Sequence, residues 1–317
     1  MKQSLINRLT RLNLSLQVKR IKRDISGVIL LDKPLGFSSN QALQKIKYLL
    51  QAEKAGHTGS LDPLASGLLP LCFGEATKFS HYLLDADKSY RTLVQLGTTT
   101  TTGDAEGEVL VSQPVDVTEA KIKKVLNDFI GGIKQTPPMY SALKHQGKAL
   151  YEYARDGVDI ERAARDVTIY QIDFHGFENH QLDLTVACSK GTYIRTLAED
   201  IGAALGCGAH LAGLRRLTAG HFKLEDAVTV EAFEAMTLEQ RDACLLPPDA
   251  TIATLPMVTI DADSEFYLLR GQSVWKANLN MQGSFRVYNE QGVFLGLGEQ
   301  APDGKITPKR LLKRKIN

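Results

Sequence analysis

The sequence predicts an α+β protein in two parts, a larger one of mixed strands and helices and a small β module behind it. Two observations carry that expectation. Apolar patterns of strand and helix period interleave from Ser26 to Leu246. Beyond the double proline Pro247 and Pro248, the helical period gives way to short extended runs divided by Gly, Asn and Asp. The 317 residues, 43% hydrophobic and 23% charged, suffice for two cores. No run approaches the roughly 18 apolar residues of a membrane-spanning helix, so a soluble cytoplasmic protein without membrane contact is expected.

Residues 1–23 hold seven Lys or Arg and no acid, with Leu5, Leu9, Leu12 and Leu16 at helical spacing. A basic N-terminal arm is expected, although the composition also permits a transit peptide. "GVILLDKP" then reads as a buried strand ended by Pro34, and "SSNQALQKIKYLL" as a helix with capping serines ahead of Leu43, Ile46 and Leu50. Strands follow in "YRTLVQLG" and "GEVLVS". A helix runs from the N-cap Thr118 through "TEAKIKKVLNDFIGG" to its glycines. "KALYEYARDG" is helical and "VTIYQIDFHGF" extended. "LDLTVAC" alternates Leu182, Leu184, Val186 and Cys188, and "GTYIRTLAEDIGAAL" places Ile194, Leu197, Ile201 and Leu205 on one helical face. A strand, a glycine turn and a helix therefore meet at "SKGTYIR". In the module, "SVWKA", "SFRVYN" and "VFLGLG" are strands of a small barrel or sandwich. The expected division is a basic arm over 1–23, a main domain over 24–250, and a β domain with a basic tail over 251–317.

The net charge of +2 hides an asymmetry. The last thirteen residues carry six bases and no acid, so the two ends leave 25 of the 38 Lys and Arg facing all 36 Asp and Glu in the body. Basic ends on an acidic body suit a polyanion such as nucleic acid, because clustered cations gain affinity by releasing counterions. Solvated termini that merely tolerate charge would look the same. Cys72, Cys188, Cys207 and Cys244 lie far apart, with no paired spacing and no interleaved His, so they read as reduced thiols and no metal site is expected.

The stretch with most chemical content is "GHTGSLDPLASGLL", Gly56 to Leu69. Asp62 before Pro63 is a good helix start, with the carboxylate accepting a backbone N–H and the proline needing none. Yet Gly67 and Pro70 would stop such a helix within one or two turns. The residue before a proline is driven out of the α region, so Asp62 should project from extended backbone. Gly56 and Gly59 bracket His57 and Thr58 and allow close backbone approach. The residues describe a shaped loop that presents one histidine and one carboxylate, which by themselves suit many chemistries.

With its flanks, this stretch resembles the signature of the TruB family of tRNA pseudouridine synthases, Gly-His-Thr-Gly, any residue, Leu-Asp-Pro-Leu-Ala. "GVILLDKPLGFSSN", "GEATKFSHYLLDADKSY", "PPMYSALKHQGKALYEYAR", "CSKGTYIRTLAEDIG" and "GCGAHLAGLRRL" follow in the family's order, so the likeness covers residues 24 to 225. The match beyond residue 250 is thinner and rests on "GLGEQAPDGKITPKRLL". The resemblance implies a mixed central β-sheet with flanking helices, followed by a PUA-like RNA-binding barrel. It also implies isomerisation of uridine to pseudouridine at position 55 in the T-loop of tRNA, by a monomer and without metal or organic cofactor. By the same likeness Asp62 stands at the catalytic aspartate. It could attack C1′ of the ribose, add to C6 of the ring or remove the C2′ proton. Tyr90 would stack on the flipped uracil, Arg195 would pair with Asp62, and Tyr193 and Leu214 would line the uracil pocket. His57 would insert into the loop as a wedge, as base flipping out of folded RNA requires. Lys33 would support the loop backbone or contact a phosphate.

Two rivals compete with that reading. A non-catalytic tRNA-binding or tRNA-folding protein would need only the basic ends, the barrel and the wedge. An Asp/His hydrolase such as a nuclease would want more acids near His57 than the sequence places there.

Overall fold

A computed structural model describes residues 22–313. The leucine pattern of the N-terminal arm and the bases Arg314 and Lys315 lie outside these residues. Arg23, at the arm's end, makes a two-pronged pair with Asp242 at 2.9 and 2.5 Å.

The chain enters the fold as β1 (Gly27–Lys33), almost wholly buried, and turns into α1 (Ser39–Leu49). Ser38 and Gln41 cap that helix reciprocally, each side chain meeting the other's backbone N–H. Ala42, Leu43, Ile46 and Leu49 face inward as their spacing requires. Next come β2 (Ala55–His57), β3 (Ala65–Phe73), α2 (Ser80–Leu84) and β4 (Lys88–Leu96). A two-stranded ribbon of β5 (Thr98–Thr100) and β6 (Val109–Ser112) precedes α3 (Glu119–Asp128), which Thr118 caps. The glycines after α3 do not close it; they open β7 (Gly131–Gln135). The hairpin of β8 (Lys144–His145) and β9 (Lys148–Ala149) leads into α4 (Leu150–Arg155). Then β10 (Arg165–Glu178), β11 (Gln181–Cys188), α5 (Ile194–Leu205) and β12 (Ala209–Ala219) complete the centre. β13 (Phe222–Lys223), β14 (Val228–Thr229), α6 (Val230–Ala235) and α7 (Leu238–Ala243) close this part.

The main sheet runs β14-β1-β3-β12-β4-β11-β10-β7, with β2 added to β3 and β13 to β12. It is mixed: β3 with β12 and β1 with β14 are parallel, and the other pairs are antiparallel. One core packs α3 and α5 against β4 and β11, with Ile122, Leu126, Leu184, Val186, Leu197 and Ile201. A second gathers α1 and α6 on β1 and β3 through Ile29, Leu31, Ile46 and Phe233. Gly67 makes the centre possible. Its φ is +99°, and a Cβ there would stand 2.3 Å from the carbonyl oxygen of Arg216 on β12. Cys72 and Cys188 are buried in this sheet, and burial pushes their thiols up to about 12 and about 11.

Past the double proline the chain stays attached, since Leu246 exchanges both backbone bonds with Val28. A second sheet is ordered β15 (Met257–Ile260), β16 (Ser284–Asn289), β17 (Phe294–Gln300), β18 (Ile306–Leu311), around its own core of Val258, Phe285, Val287 and Leu295. This is the expected β module, with two local differences. A helix, α8 (Ala262–Leu268), interrupts the extended runs. Asp261 caps it by accepting Ser264 N–H at 2.8 Å, a start signal present in the sequence. "SVWKA" is not a strand but a single bridge from Val274 to Ile306, cut short by left-handed turns at Gly271 and Asn278. The module packs on the main sheet through the Phe79 and Phe294 rings, 5.6 Å apart, and through Asp249, which receives Arg286 at 2.8 Å and the Tyr288 hydroxyl. Among the described residues no helix is long and apolar enough to cross a membrane.

Candidate active site

The loop between β2 and β3 crosses the middle of the sheet, and a cleft of about 650 Å³ opens beside it. The loop is held by its backbone. Thr58, fully buried, donates its N–H to Pro70 at 3.2 Å. The Ser39 hydroxyl takes the Leu61 N–H at 2.7 Å and faces the Leu61 carbonyl at 3.0 Å. Ala65 N–H closes a turn on the Asp62 carbonyl at 3.0 Å, and β3 begins there, buried over all nine residues. The helix that Asp62 might have capped does not exist. The apolar run behind it is a core strand paired on both edges, and the carboxylate is left 48% exposed at the cleft.

Arg195, at the start of α5, approaches that carboxylate at 3.1 Å while itself only 8% exposed. The same guanidinium meets buried Asp104 at 3.4 Å and donates to the carbonyls of Thr102 and Tyr140. Asp104 is fixed in turn by the Thr102 hydroxyl at 2.5 Å and the Glu106 N–H at 3.1 Å. Arg195 therefore sits between two carboxylates with its donors directed, a geometry that holds Asp62 in place. Asp104 was not apparent in the sequence. It lies in a Thr/Gly-rich connection where an acid reads as a turn residue.

Six of the seven predicted site residues gather on the cleft: Asp62, Arg195, His57, Tyr90, Tyr193 and Leu214. Tyr90 comes up from β4, buried to 8% exposure, and burial raises its hydroxyl above the usual range against the opposing pull of Arg216. Leu214 pairs with Ala65 and Thr92 in the adjacent strands. Tyr193 is the residue before α5; the Gln135 side chain clasps its backbone at both N–H and carbonyl, and burial raises its hydroxyl as well. His57 ends β2, and burial together with the Arg216 charge lowers its pKa, so the ring is neutral at pH 7. Lys33 stands apart. It is fully buried at the end of β1 and donates to the carbonyls of Pro34 and Phe37 at 3.0 and 2.5 Å, out of reach of a phosphate. Burial lowers it to about 8.

Two cations line the cleft that sequence reasoning passed over, Arg216 and Lys88. Arg216 is 1% exposed and lies opposite Tyr90 in the β4–β12 register, with Nε on the Leu68 carbonyl at 2.7 Å and Nη2 on that of Gly59 at 3.4 Å. Lys88 caps the end of α2, its ammonium on the carbonyls of Leu83, Leu84 and Ala86. Strand alternation could have flagged Arg216: its neighbour Arg215 turns the other way, to Asp32.

Comparison with known proteins falls on the same residues. The model of the N-terminal domain of TruB family pseudouridylate synthases matches residues 47–194. That of the tRNA pseudouridylate synthase B C-terminal domain matches 195–253, and that of the C-terminal domain of pseudouridine synthase II TruB matches 256–312. The chain belongs to the TruB family. The tRNA pseudouridine synthase B of Methylobacillus flagellatus is 64% identical over 299 residues, 94% of this chain and 99% of that protein. That of Pseudomonas fluorescens Pf-5 is 56% identical over 301 residues, with 94% and 99% covered. Among solved structures, a chain of a Cbf5–Nop10–Gar1 complex superposes with TM-score 0.68 and 29% identity over 90% of this chain and 84% of its own. A chain of an H/ACA ribonucleoprotein bound to a substrate RNA containing 2′-deoxyuridine gives 0.68 and 26%, over 92% and 86%. The TruB models include every cleft residue named above. Lys33 precedes their first matched residue.

Proposed function

We propose that this chain isomerises uridine to pseudouridine at position 55 in the T-loop of tRNA, as a cytoplasmic monomer and without a cofactor. The observation that carries the reading is one half-exposed carboxylate, Asp62, held at 3.1 Å by a buried arginine at the mouth of a cleft walled by Tyr90 and Tyr193. A redox-neutral exchange of a C–N for a C–C glycosidic bond calls for one such group and a space in which the ring turns. Asp62 acts on the sugar or the ring by one of the three routes above. Tyr90 stacks on the uracil, Tyr193 and Leu214 bound its pocket, and Arg195 keeps Asp62 aimed. His57, a neutral ring on a fixed loop, is suited to fill the space that the extruded nucleotide leaves. Lys33 supports the Pro34–Phe37 turn against which the loop rests, since Gly36 N–H reaches the Pro63 carbonyl. In this reading residues 24–250 form the catalytic domain, 251–317 a PUA-like RNA-binding domain with its basic tail, and 1–23 an arm on the T-arm backbone.

The test is release of tritium from C5-labelled uridine in a T-arm hairpin. Asp62→Asn is expected to slow release by about 10⁴-fold while leaving hairpin binding within about threefold. Release by the variant at the wild-type rate would overturn the catalytic role of Asp62, and no release by the wild-type protein would leave a tRNA-binding protein as the better description.

A further inference from the structure

The two sides of the cleft differ in how their cations are compensated. Arg195 faces two carboxylates, Asp62 and Asp104. Arg216 and Lys88 line the same cleft and meet only neutral groups: the carbonyls of Leu68 and Gly59 and the Tyr90 hydroxyl for the first, and the carbonyls of Leu83, Leu84 and Ala86 for the second. Neither forms an ion pair with a carboxylate among the described residues. Both pack beneath Gly59 of the loop, where a Cβ would stand 3.7 Å from Arg216 Nη1 and 4.0 Å from Lys88 Cε. A buried cation ordinarily finds a counter-charge, because an uncompensated one is costly away from water. Buried Arg216 and half-buried Lys88 share one wall beside Tyr90, which makes a site short of a negative charge. Burial and the neighbouring Arg216 lower Lys88 to about 8, against a weaker opposing pull from Asp87 and Asp85 outside the cleft lining.

We propose that Arg216 and Lys88 form an electrostatic cradle for the uracil ring anion, holding the detached base while it turns and stabilising the charge it carries. The inference rests on the proposed uridine isomerisation and concerns its middle step. When C1′–N1 breaks, the electron pair stays on the ring. The ring rotates, C5 returns the pair to C1′, the C5 proton is lost, and N1 takes up a proton, so the product is an isomer with no redox partner. In the two routes through the sugar, the base between the two bond changes is an anion with no covalent tether. A fixed positive wall set in protein acts on such a charge more strongly than solvent does. The wall also keeps the free base from leaving. An RNA phosphate is the other anion that could lie on these cations. Arg216 is too deeply buried for a solvated backbone to cover, which favours the ring.

The experiment uses T-arm hairpins with uridine or 5-fluorouridine at the target, with single-turnover loss of the N-glycoside followed in nuclease digests. Fluorine stabilises the ring anion, so fluorouracil depends less on outside charge. Arg216→Gln is expected to slow the uridine hairpin by about 100-fold, with hairpin affinity within about threefold of wild type. The deficit on the fluorouridine hairpin should be at least about tenfold smaller, and Arg216→Lys should retain most of the uridine rate. Lys88→Met, at the half-buried end of β4, should show the same fluorouridine relief and serves if Arg216→Gln does not fold. Equal deficits on both hairpins would overturn the cradle. So would a loss of affinity with a shallower salt dependence, which would place an RNA phosphate on these cations. Failure of the wild-type protein to consume either target would instead overturn the proposed isomerisation.

Discussion

Arg195 and Arg216 reach the same loop from opposite sides, α5 and β12, and both are buried, at 7% and 1% exposure. One is surrounded by carboxylates and the other by backbone carbonyls. The residue type is therefore a poor guide to what the charge does. Inside a protein an arginine between two acids locks their positions and adds little net field. An arginine on neutral acceptors keeps its field and directs it at whatever enters the cleft. The first arrangement suits holding a reacting carboxylate, the second receiving an anion.

Replacing each arginine by methionine should separate the two cases. Arg195→Met leaves Asp104, 3% exposed, as a buried carboxylate without its cation, and is expected to lower unfolding free energy by about 3–5 kcal/mol in urea titration. Adding Asp104→Leu should recover most of that loss; no recovery would mean that Arg195 acts through packing and not charge. Next in size is Gly67→Ala, which forces a Cβ onto the Arg216 backbone at positive φ. A loss of about 3 kcal/mol is expected, with kcat falling as β12 and its arginine are pushed from the loop. Arg216→Met orphans two carbonyls and no charge, so its cost in the same titration should be smaller, about 1–3 kcal/mol. A cost equal to that of Arg195→Met would erase the distinction between the two sites.

The smallest effect is a slope. Lys33 has a folded-state pKa of about 8 because it is buried, against about 10.4 in an unfolded chain. Keeping it charged inside costs stability below pH 8, and that cost is relieved as pH rises from 8 to 10.4, where the unfolded chain binds more protons. Wild type should therefore gain unfolding free energy relative to Lys33→Met over this range, on the order of 1 kcal/mol per pH unit. Parallel curves for the two proteins would show that Lys33 is not desolvated as its position indicates.

Much of the fold could be read directly. α1, α3 and α5 carry uninterrupted helical spacing and their own caps, and β11 alternates without error, so local pattern and tertiary packing agree. α8 and the single bridge at Val274 were misread because short elements are decided by one cap or one turn residue, which a run of apolar letters conceals. In the cleft, the candidate residues could be named in advance because the chain resembles the TruB family over several separated motifs in the same order. Asp62 itself invited a helix-cap reading, which fails because the residues after it are wanted as a core strand between β1 and β12.

By itself the sequence determined the mixed architecture, the β module behind the prolines and the basic ends, and its likeness to the TruB signature singled out the candidate loop. The tertiary structure alone decided which charges compensate one another. Arg216 and Gly59 lie 157 positions apart, and nothing in either neighbourhood tells whether the arginine will end on a carboxylate or a carbonyl. That depends on which strand lies beside which, and in a medium of low dielectric the difference decides whether the cation is neutralised or left to act.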